Sequence, residues 1–155
     1  MKVVFLDIDG VLNSHQSAKR GLHKGGLLTL DPEAVERLNR LVREVPEVKF
    51  VLSSTWRLYQ CREDFDVFTA VGFEGEFVGR TPALRKELLG SPIVIQQIRG
   101  AEIAAWLEEH PEVERYVILD DDSDMGPLLR DLIQTCSWKG GLQDEHVEEA
   151  IRRLR

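Results

Sequence analysis

The residues able to do chemistry in this chain gather at the ends of three apolar runs. Val3-Val4-Phe5-Leu6 leads into Asp7-Ile8-Asp9-Gly10, residues 48–52 lead into Ser53-Ser54-Thr55-Trp56-Arg57, and residues 116–119 lead into Asp120-Asp121-Asp122-Ser123-Asp124. An apolar run of that length cannot solvate the carboxylate of Asp7, so a metal ion, hydrogen bonds or a retained proton must compensate it. Consecutive hydroxyls followed by an arginine are suited to holding an anion. If the acids share one edge they repel each other, and a divalent cation among them makes the cluster tenable at neutral pH. With no His or Cys inside the acidic runs, the all-oxygen ligand set favours magnesium over zinc.

The spacing of these runs specifies the scaffold. Each run reads as a buried parallel strand, and helical stretches separate them. Asp31-Pro32-Glu33 starts a helix whose apolar face is Val35, Leu38, Leu41, Val42 and Val45, ended by Pro46. A second helix is expected from Arg99 through Glu109, with Ile103, Trp106 and Leu107 inward, and a last one carries Val147, Ala150, Ile151 and Leu154. Helical character is expected over 58–71 with Phe65 and Phe68 inward, and a short strand in 72–78. Also expected are a small helix from Thr81-Pro82 closed by Gly90, a helix over 124–131 and a strand over 132–136. Residues 91–98 receive no assignment. Residues 14–29 hold glycines with Lys19, Arg20, His23 and Lys24, and a flexible flap or hairpin is expected over about 11–30. Alternating strands and helices predict an α/β fold, a Rossmann-like parallel sheet with helices on both faces. In such sheets ligands bind beyond the carboxyl ends of the strands, where Asp7, Asp9, Ser53, Ser54, Asp120 and Asp121 should converge.

Composition narrows the function classes. The chain has 155 residues, enough for one domain with its own core, and residues 1–155 are read as a single domain. A formal charge of −7 argues against non-specific wrapping of nucleic acid, yet a metal can invert the field locally at a small site for an acidic substrate. No apolar run approaches the roughly 18 residues that span a bilayer. Met1-Lys2 leads straight into a strand with no room for a signal peptide, so a cytoplasmic protein without membrane association is expected. Cys61 and Cys136 are expected as buried or partly buried thiols rather than a disulfide.

The ordered set resembles the haloacid dehalogenase superfamily of phosphohydrolases. Asp7-Ile8-Asp9-Gly10 is similar to its first motif, Ser53 to its second, Arg99 at a helix start to its basic third, and Asp120-Asp121 to its acidic fourth. The resemblance implies that Asp7 attacks phosphorus to form an aspartyl-phosphate and that Asp9 protonates the leaving oxygen and later activates water. It implies magnesium held by Asp7, the Asp9 backbone carbonyl, Asp121 and neighbouring Asp120, with Ser53 and Arg99 gripping the phosphoryl oxygens and Ser54 and Arg57 assisting. Arg80, Lys86 or Arg57 are alternatives for the cation at the Arg99 position, and Asp122 and Asp124 are alternatives as caps of the following helix.

The gap between Asp7 and Ser53 and residues 58–98 are both too short for an inserted cap domain. A capless site is open, and open sites suit large substrates. The Ser-Ser-Thr-Trp-Arg segment, the Arg99 helix start and the triple acid resemble the phosphatase-like domains of nucleic-acid end-repair proteins. The expected partner is therefore a phosphorylated small molecule or nucleic-acid end, with no obligate protein partner. The rival classes are a small-metabolite phosphatase and a non-catalytic, receiver-like phosphoryl acceptor, which has no need for the leaving-group acid at Asp9. An interaction subunit of a kinase or ligase is a further rival.

Overall fold

The computed structural model describes residues 1–21, 29–58, 66–84 and 98–155. Among them are five strands: β1 (Lys2–Leu6), β2 (Val48–Leu52), β3 (Glu76–Arg80), β4 (Arg115–Asp120) and β5 (Leu132–Gln134). They form one sheet in the order β3-β2-β1-β4-β5, and every neighbouring pair is parallel. The helices are α1 (His15–Lys19), α2 (Pro32–Glu44), α3 (Asp66–Ala70), α4 (Ile98–Glu109) and α5 (Asp144–Leu154).

The central position of β1 follows from its composition: Val3, Val4, Phe5 and Leu6 are all fully buried, as a strand covered on both faces requires. Val4 and Leu6 face a cluster with Val35, Leu38 and Leu41 of α2 and Val147, Ala150 and Ile151 of α5. Val3 and Phe5 face the opposite cluster with Ile103 and Trp106 of α4, Ile118 and Met125. Phe5 meets the Trp106 ring edge-on at 5.4 Å and the Tyr116 ring at 5.8 Å. Each fully buried Leu, Ile or Phe contributes about 1.5–3 kcal/mol over leaving it in water, so these two layers hold the sheet between them. The expected three-layer, Rossmann-like α/β architecture is what forms, and the described residues hold no cap domain.

The chain runs outward from β1 through β2 to β3, then returns to place β4 on the other side of β1. That reversal makes the carboxyl ends of β1 and β4 the switch point of the sheet, where a crevice opens. Strands β1, β2, β3 and β5 continue one ladder step past their ends: Asp7 N–H donates to the Leu119 carbonyl (2.9 Å), Ser53 N–H to Leu6 (2.8 Å), Thr81 N–H to Leu52 (3.0 Å) and Thr135 N–H to Asp120 (3.0 Å). The first residue after each of these four strands is thereby tied to the neighbouring strand.

The structure departs from the sequence reading in several places. The expected flap begins with a helix, α1, which is too short to show an apolar period. It is held by a reciprocal capping box between Ser14 and Ser17 and by packing on the 3₁₀ turn Ser137–Lys139. Arg20, expected on a basic flap, pairs with Asp31 and Glu33 instead. Residues 22–28, with His23 and Lys24, lie outside the described residues, as do Cys61, Phe65, Lys86 and Gly90. Phe68 is buried as expected. The strand expected in 72–78 sits later, at Glu76–Arg80, and residues 81–84 are not helical. The helix expected over 124–131 is a 3₁₀ turn, Gly126–Asp131, and β5 stops at Gln134. Cys136 is a free, half-buried thiol. No helix among the described residues is long and apolar enough to cross a membrane.

Candidate active site

Beyond the ends of β1 and β4 lies an open cleft of about 460 Å³ lined by Asp7, Asp9, Arg99, Asp120 and Asp121, together with Asn13, His15, Thr55 and Ser137. The first loop is shaped by its own hydrogen bonds. Leu12 N–H donates to the Ile8 carbonyl (2.8 Å), and Asn13 closes the turn: its Oδ1 accepts from Gly10 N–H (3.1 Å) and its Nδ2 donates to Asp9 Oδ1 (2.7 Å). The other Asp9 oxygen accepts the indole N–H of Trp56 (3.0 Å). Gly10 adopts φ +82°, and a Cβ there would lie 2.2 Å from Asp121 Oδ2. Only glycine lets the loop after β1 pass Asp121, the acid that follows β4, so closely.

Asp7 and Asp120 are buried, at 7 % and 2 % exposure. Burial pushes the Asp7 carboxyl up, to about 6, against the opposing pull of Arg99 and a hydrogen bond from Ser54. Burial pushes Asp120 higher still, and the neighbouring Asp7 charge adds to it. Asp121 and Asp124 are raised as well, again chiefly by burial. One oxygen from each of Asp7, Asp120 and Asp121 lies within 4.8 Å of the others. Asp120 Oδ2 is buried with no hydrogen-bond donor, and the Arg99 Nε stands 3.5 Å from it. Three crowded carboxylates, one of which also carries an oxygen without a hydrogen-bond donor, fit a hard divalent cation, which would relieve the repulsion.

Arg99 reaches the cleft because α4 begins beside the acidic loop. Its backbone N–H donates to Asp124 Oδ2 (3.3 Å) and Gly100 N–H donates to the Asp124 carbonyl (3.1 Å). Asp124 therefore caps α4, which precedes it in the chain, and not the turn that follows it. Asp122 accepts from Ser123 N–H within its own loop. A Cβ on Gly100 would meet the Met125 carbonyl at 2.0 Å, so this helix end sits against backbone.

Of the predicted site residues, Asp7, Asp9, Arg99, Asp120 and Asp121 come together in the cleft. Ser53, Ser54 and Arg57 do not line it. Ser53 Oγ is buried without a hydrogen-bond partner. Ser54 spends its side chain on Asp7 and on Trp56 N–H. Arg57 is committed to a buried pair with Glu102 (2.6 Å) and to the carbonyls of Ser54, Thr81 and Pro82. Glu102 also approaches Arg99 at 3.5 Å, so it links the two arginines. Among the described residues Arg99 is the cation at the acidic cluster. The sequence reading assigned no role to Asn13, Trp56 or Glu102. Glu102 stands three residues after Arg99 on one helix face, a spacing that pairs side chains, and Asn13 ends the same tight turn that Gly10 opens.

A family model described as the HAD domain in Swiss Army Knife RNA repair proteins matches residues 3–147. No curated protein and no solved structure matches the chain. The matched span runs from the first residues of β1 into α5 and so includes every element that carries the cleft. Fold, acid placement and family match agree: the chain belongs to the HAD domain family of Swiss Army Knife RNA repair proteins, within the haloacid dehalogenase superfamily.

Proposed function

We propose that this domain is a magnesium-dependent phosphomonoesterase that works through an aspartyl-phosphate and acts on the terminal phosphate of a nucleic acid. The observation that carries this reading is the pairing of two differently supported acids in one cleft: Asp7 is buried beside Asp120 and Asp121, while Asp9 is oriented by Trp56 and Asn13. An Asp7 oxygen attacks phosphorus as the bond to the leaving oxygen breaks, and protonated Asp9 delivers its proton to that oxygen. Asp9, now a carboxylate, takes a proton from water as the water oxygen attacks phosphorus. The acyl-phosphate bond breaks and Asp7 returns as a free carboxylate. Arg99 faces the charge that builds on the phosphoryl oxygens. Magnesium bound by Asp7, Asp120 and Asp121 would supply charge shielding for the approach of one anion to another. The family's printed link to RNA repair supports a nucleic-acid end over a free metabolite.

The test is phosphate release from 5′- and 3′-phosphorylated RNA, nucleotides and sugar phosphates, with magnesium and with chelator. Rapid, magnesium-dependent release from an RNA end that Asp7→Asn abolishes is the expected result. Full activity of the Asp7→Asn protein, or equal feeble rates on every substrate, would overturn the reading.

A further inference from the structure

Trp138 is the most open of the large apolar side chains among the described residues, at 69 % exposure against 52 % for Leu129 and 40 % for Val78. It is nonetheless not loose. His15 stacks on the indole with ring centres 3.6 Å apart and planes 15° from parallel. Ser137 Oγ shares a hydrogen bond with His15 Nδ1 (2.7 Å) and accepts from His15 N–H (3.2 Å), and Gln16 Nε2 donates to the Trp138 carbonyl (3.1 Å). Directly after it the chain turns sharply through Gly140 at φ +97° and Gly141 at φ +71°. Gly141 N–H closes onto the Cys136 carbonyl (3.0 Å) and Leu142 N–H onto Val11 (2.9 Å), which ties the turn to the loop carrying Asp9.

The histidine covers one face of the indole, and the exposure leaves ring surface open to solvent. The base of this stack also belongs to the cleft, since His15 and Ser137 line it together with Asp7, Asp9 and Asp121. A phosphate ester seated at the acids must extend its alcohol portion outward along the rim. A pre-stacked, immobilised aromatic surface costs little ordering when a flat ring joins it, and it accepts any base because every base has a π-face.

We infer that Trp138, backed by His15, is a stacking platform for the nucleobase adjacent to the phosphate that the cleft receives, so that the domain selects nucleotide ends over base-free phosphate esters without reading their sequence. This rests on the proposed phosphatase reading for the seat of the phosphate and adds the recognition of the leaving group.

The test measures binding, apart from turnover. Short RNAs with a 5′- or 3′-terminal phosphate and a fluorophore at the other end are titrated, by anisotropy with magnesium, against the Asp7→Asn protein. Each RNA is compared with a copy whose phosphorylated terminal residue is abasic. Loss of the base should weaken binding about tenfold, the weight of one base–aromatic stack. In Asp7→Asn/Trp138→Ala that ratio should fall to near one, and Trp138→Phe should restore most of it. Because the ratio is taken on one protein sample, partial misfolding of a variant cancels. An unchanged ratio in Trp138→Ala, or no base dependence and no RNA binding at all in the starting protein, would overturn the platform. Absent phosphate release by the unsubstituted protein with the ratio intact would instead count against the phosphatase reading alone.

Discussion

The indole N–H of Trp56 donates to Asp9 Oδ2 at 3.0 Å while Asn13 donates to Oδ1 at 2.7 Å, so both oxygens of the proposed acid are held by separate donors. One donor comes from the turn after β2 and the other from the loop after β1. Orientation of a general acid is worth part of its roughly 10²–10⁴-fold effect. Trp56→Phe, which keeps a ring and deletes the donor, should lower kcat about tenfold with KM changed less than about twofold. Steady-state kinetics on the best RNA substrate decides it; a change confined to KM would mean that Trp56 serves binding and not proton transfer.

The buried acids make stability depend on pH and on metal. In the folded protein Asp7 and Asp120 hold their protons to about 6 and about 8, above the value of an unfolded aspartate. The folded state thus binds more protons than the unfolded one, and the stability from these groups is fully present below pH about 4 and is lost as pH rises through those values. Metal-free protein should melt progressively lower between pH 4 and 8. Millimolar magnesium should raise the melting temperature by about 5 °C or more at pH 8 and by little at pH 4. Thermal melts with magnesium and with chelator at several pH values measure this; a magnesium effect that is the same at both ends would be incompatible with an ion among these acids.

Gly10 tests the packing of the two acidic loops. An added Cβ would collide with the Asp121 carboxylate at 2.2 Å, and the φ of +82° disfavours any side chain there. Gly10→Ala should displace Asp121 and weaken magnesium binding about tenfold or more by calorimetry, the size expected when a ligand's support is disturbed. Magnesium affinity equal to that of the starting protein would show that Asp121 does not hold the ion.

Arg57 was a candidate for the phosphate and is built into the scaffold instead. It and Glu102 are both about 95 % covered by protein at the side chain, and removing one partner of such a pair leaves an uncompensated buried charge. Glu102→Ala should cost about 3 kcal/mol or more of stability in chemical denaturation, and Arg57→Ala about the same. The double change should cost less than their sum, because the second removes the charge the first left unpaired. Additive losses would mean that the two side chains are supported independently.

Much of this site was legible because strands that end in functional residues carry two signals at once. The apolar lead-ins to Asp7, Ser53 and Asp120 announce buried strands, and the residue types that follow announce chemistry. Helix α2 was readable from its Asp31 cap and apolar face, and α4 and α5 from their apolar faces. The short elements were not. Helix α1 has too few residues for a period, and the turn Gly126–Asp131 is wound as 3₁₀ helix around Pro127, so tertiary contacts decide both.

By itself the sequence determined which acids end up together, since the order of strands and helices admits few sheets and sends every strand's carboxyl end to one edge. What only tertiary structure decided was the direction of each side chain at that edge. Arg57 and Arg99 are both arginines next to strand-end or helix-start motifs, yet one is buried against Glu102 and the carbonyls of Thr81 and Pro82, while the other, at a helix start held by Asp124, faces Asp120. The bond from Trp56 to Asp9, and the stacked pair of His15 and Trp138, join residues far apart in the chain. Such contacts depend on distances across the fold, which no local spacing encodes.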